Sequence, residues 1–319
     1  MRDRLLRLAQ PYADEIHIDT LGNLICHRRG SGPKVVIDAQ MDSIGFIVSG
    51  IDQAGRIAFV PVGSHKTAAL VGEKVRLENG ALADIRLRPG QAEVLAEKRS
   101  CHDMFLSIDW TSGSDAQALP DVGSPVVFAR HTVLRADGLV QSPHLSGICG
   151  SMVALLSMQQ LSACKNDLYF VFSTQAEVGF RGIRSALYNL EPYVYIRLSA
   201  AEAGDTPLHK LHPALGPAVG HKCEYAVWDA EVVDALWRGA QKSGVACQYK
   251  VVETGEVLPN EVCVQLSRNG VAAGELSIPV SEFHTAREVC CLEDVAQAAK
   301  VICQTLENGF YAIADKKIK

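Results

Sequence analysis

No run in this 319-residue chain is long and apolar enough to span a membrane. Its opening stretch, MRDRLLRLAQPYADEIHID, starts charged and has no apolar core of the kind a secretory signal needs. A cytoplasmic location is the expectation. The chain also lacks a block of Lys and Arg interleaved with aromatics, and its net charge of -5 gives no electrostatic case for nucleic acid. CxxC spacing is missing. The ten cysteines are scattered and sit in mostly apolar surroundings, as at Cys149, Cys164, Cys247, Cys263 and Cys303, so buried free thiols are expected rather than a disulfide framework. Cys290 and Cys291 are adjacent without that spacing, and His221-x-Cys223 supplies two soft ligands where zinc needs more. No GxSxG elbow occurs. Ser142 and Ser146 therefore read as helix N-caps, although His144 lies two before Ser146 and Cys149 falls in the first turn, where a helix dipole could activate a thiol. His209 and His212, in PLHKLHP, want a third ligand. Repeats and low-complexity tracts are absent.

What is present is ordinary globular composition: 48% apolar and 21% charged residues over a length sufficient for one large or two medium domains. Residues 3–17 read as an amphipathic helix, followed by short strands around the turns at Gly22–Asn23 and 30–33. FIVSGIDQAGRIAFVPVG reads as a hairpin with Asp52 to Gly55 at its tip. From 62 to 139 short β-prone runs alternate with Gly, Asn, Pro and Asp, the texture of a small inserted β-barrel. After it, helix and strand alternate again: GICGSMVALLSMQQLSAC, DLYFVFSTQ, FRGIRSALYNL, YVYIRLSA, WDAEVVDALWRGAQKSG, VACQYKVV and CLEDVAQAAKVICQTLENG. The expected architecture is an α/β domain assembled from residues 1–61 and 140–319, with an all-β domain at 62–139 inserted into it.

Chemistry is expected at strand ends, where open α/β sheets place ligands. Four such places stand out: 40–42, 142–150, 174–182 and 282–287. In VVIDAQMDSIGFIV, Gln40 and Asp42 share a face by strand alternation, yet an amide neither titrates near neutrality nor readily binds zinc. Glu177 is a candidate metal ligand or base, with a capping role as the alternative. His284 is a candidate ligand, with a half-buried histidine on a backbone carbonyl as the alternative.

Taken together, IDTLGNLI, DAQMDSIGFIV, VPVG, LVGEKV, FLSID, STQAEVGFRG, AGDTP and LSIPVSEFHTAREV resemble the M42 family of metallo-aminopeptidases, also called tetrahedral aminopeptidases. The likeness runs over nearly the whole chain. It implies a zinc-peptidase-like catalytic domain with a mixed sheet, a β insert that helps assembly, a homo-oligomer in the form of a dodecameric shell, and two metals that remove residues from peptide N-termini. The resemblance also places the first residue here inside the family's first helical region.

Carried over position by position, the resemblance points to a degenerate pocket. The family's first metal histidine falls on Gln40, while the aspartate two beyond it is kept as Asp42. Its bridging aspartate falls on Ser146, beside Gly147, its general base on Ala176, and its next aspartate on Ser199. A Gly-Gly-Thr-Asp-Ala stretch aligns with VLPNE at 257–261, where Asn260 replaces the acid. Only Glu177 and His284 remain as metal ligands, short of the three that catalytic zinc generally takes unless Asp42 or His144 moves in. Loss of general-base catalysis alone costs about 10²- to 10⁴-fold. The expectation is a non-catalytic binding or assembly protein with no intact catalytic residue, a peptide as the ligand to test, and no cofactor, or at most one zinc, cobalt or manganese ion. The alternative is a metal-dependent aminopeptidase or related hydrolase with a rearranged single-metal site.

Overall fold

The computed structural model describes residues 1–91, 95–108, 119–162, 164–205, 210–223, 226–252, 262–307, 309–310 and 313. Helix α1 (Arg2–Ala9) stops well before the expected residue 17. Pro11, which has no N–H to continue an α-helical ladder, lies in a tight turn at Gln10–Tyr12, and strand β1 (Glu15–Ile18) follows. β2 (Leu24–Arg28) and β3 (Lys34–Gln40) complete the first segment of the main sheet. The chain then leaves it for β4 (Gly45–Ile51), β5 (Ile57–Val62), β6 (Lys74–Leu77), β7 (Leu82–Leu87), β8 (Met104–Ile108) and β9 (Pro125–Phe128). These six close into a barrel in the order β4-β5-β8-β7-β6-β9. The hairpin at 45–62, which the sequence reading gave to the α/β part, thus supplies two barrel strands, so the barrel begins before residue 62. Phe46 anchors its interior, meeting Phe59 and Phe128 edge-on with ring centroids 5.1 and 5.5 Å apart.

Next come β10 (Val133–Leu134), β11 (Leu139–Gln141), α2 (Leu145–Gln160), β12 (Asp167–Ser173), α3 (Arg181–Leu190) and β13 (Val194–Glu202). The last part holds β14 (Ala218–Lys222), α4 (Ala230–Ser243), β15 (Gln248–Val251), α5 (Val262–Gln265), β16 (Ala272–Val280), β17 (Val289–Cys291) and α6 (Leu292–Glu307). Eight strands form one mixed sheet, ordered β1-β2-β12-β3-β13-β16-β14-β15, and β10-β11-β17 form a small second one. The four central strands β12, β3, β13 and β16 run parallel, so their carboxyl ends open on one edge. Strands from before and after the barrel interleave there, which makes the α/β part discontinuous in sequence.

Helix α6 packs on both α2 and α4, and all three lie on this sheet. Gly274 of β16 lies against Val232 and Leu236 of α4, so Leu276 and Ile278 face the helices as well. The odd positions of β16, including Glu275 and Ser277, face the opposite way. Both are fully buried, so this second layer of the sheet is polar. Among the described residues no helix is long and apolar enough to cross a membrane. The nine cysteines whose side chains are described are free, and most are buried; the side chain of Cys263 lies outside the described part.

Candidate functional site

The carboxyl ends of β3, β12, β13 and β16 bring most of the expected positions together. Gln40 ends β3, and its amide nitrogen donates to the Glu177 Oε1 at 2.8 Å. Asp42 accepts the backbone N–H groups of Ala176 and Glu177 through its two oxygens, at 3.2 and 3.1 Å. It therefore holds the turn that presents Glu177 and has both oxygens engaged. Gly63, from the loop leaving the barrel strand β5, sits so close that a Cβ there would lie 2.5 Å from Glu177 Oε2. The Glu177 carboxyl is thus walled in by an amide on one side and the barrel on the other. Burial pushes it up to about 7; the Gln40 hydrogen bond pulls the other way, and repulsion from Asp42 adds to the rise.

The opening of α2 is built differently from the expectation. His144, in the left-handed region at φ 71°, occupies the position before the helix and gives no side-chain cap; its Nδ1 lies 3.2 Å from the Ser43 hydroxyl. Ser146 is therefore inside the helix and is not its N-cap. Its amide donates to the Glu288 Oε2 at 2.8 Å, and the His284 amide donates to Oε1 of the same side chain at 2.8 Å. One buried carboxylate from far along the chain caps α2 and fixes the His284 backbone together. Burial raises the Glu288 carboxyl, and these amides counter the rise. Ser142 is likewise no cap: its hydroxyl is 2.7 Å from that of Thr132. Burial pushes the His284 imidazole down to about 4, with repulsion from His65 as the next cause. His65 itself stacks on Phe46 with centroids 4.4 Å apart and lies within hydrogen-bond reach of the Gly45 carbonyl at 2.9 Å.

Ser199 lies in the polar layer of the sheet. Its hydroxyl donates to the Glu275 Oε1 at 2.7 Å and lies 2.8 Å from the Ser277 hydroxyl. Lys250 reaches in from β15 to Glu275 Oε2 at 2.9 Å, and Gly220 leaves room for the Glu275 carboxyl, which a Cβ there would meet at 2.9 Å; Arg197 stands 3.7 Å from Oε1. Burial works against ionisation of Glu275, yet Lys250 and Arg197 outweigh it and hold the carboxyl well below its usual range. A fixed lysine and arginine therefore occupy the region beside Ser199. The Arg197 guanidinium also lies over the Phe180 ring at 4.5 Å.

Backbone strain gathers at the same edge. His144, Gln175, Phe180, Glu282 and His284 all have φ between 51° and 71°, a region that costs a non-glycine residue on the order of 1 kcal/mol or more each. Such strain persists only where surrounding contacts over-determine it.

The pocket does not fit a two-metal centre. Gln40, Ser146, Ala176 and Ser199 offer an amide, two hydroxyls and a methyl, and among the described residues no three of His, Cys, Asp and Glu gather as a ligand set. In this structure Asp42 accepts the backbone amides of Ala176 and Glu177, and His144 turns toward Ser43. Elsewhere, His221 accepts from Trp237 Nε1 at 3.0 Å and Cys223 from the Ala226 amide at 3.2 Å. His212 pairs with Asp205 at 3.2 Å, while His209 and the stretch 257–261, with Asn260, lie outside the described residues. Residue-level reading missed Glu288, Glu275, Arg197, Lys250 and His65. For Arg197 and Glu275 a signal existed: each is a lone charge in the middle of an apolar strand run.

The family described as M42 glutamyl aminopeptidase matches residues 22–301. The lysyl aminopeptidase of Pyrococcus furiosus is 27% identical over 335 residues, covering 97% of this chain and 91% of its own. Aminopeptidase APDkam598 from the archaeon Desulfurococcus kamchatkensis superposes with a TM-score of 0.88 at 25% identity, over 99% of this chain and 91% of that one. The Pyrococcus horikoshii TET1 peptidase, described as assembling into a tetrahedron or a large octahedral shell, gives a TM-score of 0.79 at 22% identity over 96% and 92% of the two chains.

Proposed function

Since this chain belongs to the M42 glutamyl aminopeptidase family, we propose that it is a member that has lost two-metal peptide hydrolysis and acts as a binding or assembly protein. The observation that carries this reading is the Gln40 amide on the Glu177 carboxylate at 2.8 Å. An amide N–H engages one of the two oxygens that a cation would use, and no second acid stands at position 176 to move a proton. The ion network around Ser199 supports it, because Lys250 and Arg197 already supply positive charge there. Assembly as a homo-oligomer is supported by the TET1 neighbour and by the barrel's outer face. On that face Ile47 and Val60 pair across β4 and β5 while 37% and 36% exposed.

One observation favours a second reading, a hydrolase rearranged around a single cation at Glu177 and His284: burial pushes the His284 imidazole down to about 4, which keeps it neutral near pH 7, the form that binds a cation. The two readings part on one experiment. Purified protein is assayed for metal content and for turnover of aminoacyl amides with added zinc, cobalt or manganese, alongside Glu177→Ala. We expect far less than one equivalent of metal and no turnover in either protein. Stoichiometric metal with turnover that Glu177→Ala abolishes would establish the rearranged hydrolase instead. Native mass at micromolar concentration tests assembly, and a monomer would refute that part.

A further inference from the structure

We propose that the groove between α3 and the turn after α5 binds the phosphate group of a small phosphorylated molecule, independently of the pocket around Glu177. Arg181, Arg184, Ser185 and Tyr188 recur at the spacing of one helix face, opposite the buried Ile183, Ala186 and Leu187 of α3. That outward stripe carries two arginines and no acid. Across from it, the exposed Leu266 with Ser267 and Arg268 forms the other wall of an open groove of about 580 Å³.

Each wall is prepared for an oxyanion. Arg268 adopts a left-handed φ of 53°, stacks on the Tyr188 ring at 3.8 Å, donates to the Tyr188 carbonyl at 3.0 Å and pairs with Glu191 at 2.8 Å. These contacts fix the plane of its guanidinium. Arg181 is tethered through Nε to the Val178 carbonyl at 3.2 Å, which leaves its terminal nitrogens free to turn to the groove. Among the described residues Arg184 has no hydrogen-bond or ion-pair partner through its guanidinium, and the Ser267 hydroxyl is buried without one. A buried hydroxyl lacking a partner normally marks a missing ligand or solvent group.

Charge selects the ligand class. Three arginines face the single carboxylate of Glu191, so the groove holds two positive charges in excess. A dianionic phosphate monoester balances that excess where a monocarboxylate cannot, and guanidinium forks match phosphate oxygens two at a time. The volume lies within the range of small-molecule pockets and leaves room for an organic remainder beside the phosphate.

The test is calorimetric titration of the full chain at low ionic strength with inorganic phosphate, glycerol phosphate and acetate. We expect saturable binding of one equivalent of phosphate and tighter binding of the ester, with acetate weaker by about tenfold or more. Arg184→Gln should weaken phosphate binding by about tenfold with no loss of thermal stability, because its guanidinium holds no described structural partner. Lys300→Gln, on α6, serves as the charge control and should change nothing. Absence of saturation at millimolar phosphate, equal binding by Arg184→Gln, or equal binding of acetate each overturns the proposal. So does tight binding of a polyglutamate peptide by a protein that ignores phosphate, which would give the groove to an acidic protein partner.

Discussion

At the scale of single residues, the fate of Ser199 is decided by its neighbour. Its hydroxyl lies 2.7 Å from a Glu275 oxygen whose side chain is wholly buried and already neutralised by Lys250. Putting an acid at 199, as the family resemblance would suggest for restoring a metal ligand, adds a second buried carboxylate to one lysine and one arginine. Ser199→Asp is expected to lower stability by about 3 kcal/mol, read as a drop in the urea midpoint with an unchanged slope. A variant as stable as the parent would show that the network tolerates another charge. Gln40 and Glu177 show a milder form of the same logic. Gln40 is fixed to Glu177, so replacing it with histidine removes a hydrogen bond before it supplies any ligand.

Elements set how closely those residues can approach. Helix α2 lies on β13 at Gly150, where a Cβ would fall 2.2 Å from the Leu198 carbonyl oxygen. The contact is with backbone, so relief requires the helix to move off the sheet. Gly150→Ala is expected to cost about 3 kcal/mol and to increase amide exchange at the start of α2; unchanged exchange would contradict this packing. Glycine at 150 carries no such message in the sequence, since isolated glycines occur in helices for many reasons. Most helices of the second half were legible from their apolar residues: α3, α4 and α6 lie within the runs expected for them and α2 begins two residues before its run, whereas the short α5, β14 and β17 were not among the expected elements. The failures have local physical causes. α1 ends early because Pro11 interrupts it, and the α2 cap comes from Glu288, which is 142 residues away from Ser146 and so lies outside any short motif. Of the site, the strand-end positions were readable. The partners that immobilise them belong to other strands and appear only once register is set.

On the scale of the whole molecule, the barrel is joined to the α/β part by a buried carboxylate. Glu73, on the barrel, receives Arg130 at 2.6 and 2.9 Å and Arg287 at 2.9 Å, and Arg287 lies three residues beyond His284. The barrel's orientation and the backbone that carries His284 are therefore mechanically linked. Glu73→Ala leaves two partly exposed arginines facing one another and is expected to cost about 1 kcal/mol, with faster hydrogen exchange at 284–288 as well as within the barrel. Faster exchange confined to the barrel would mean that the joint is not shared.

The position of Lys250 has a consequence at the rim of the main sheet. β15 is an edge strand, and exposed edges invite another strand to add and extend the sheet. Here one of the four residues of that strand turns an ammonium inward to a buried carboxylate, so the short edge is tied to its own interior and is poorly suited as a template. Copies of this chain that meet in solution are thereby steered away from open-ended strand addition at this rim, and protein with Lys250→Val should gain a tendency toward fibrous association on storage.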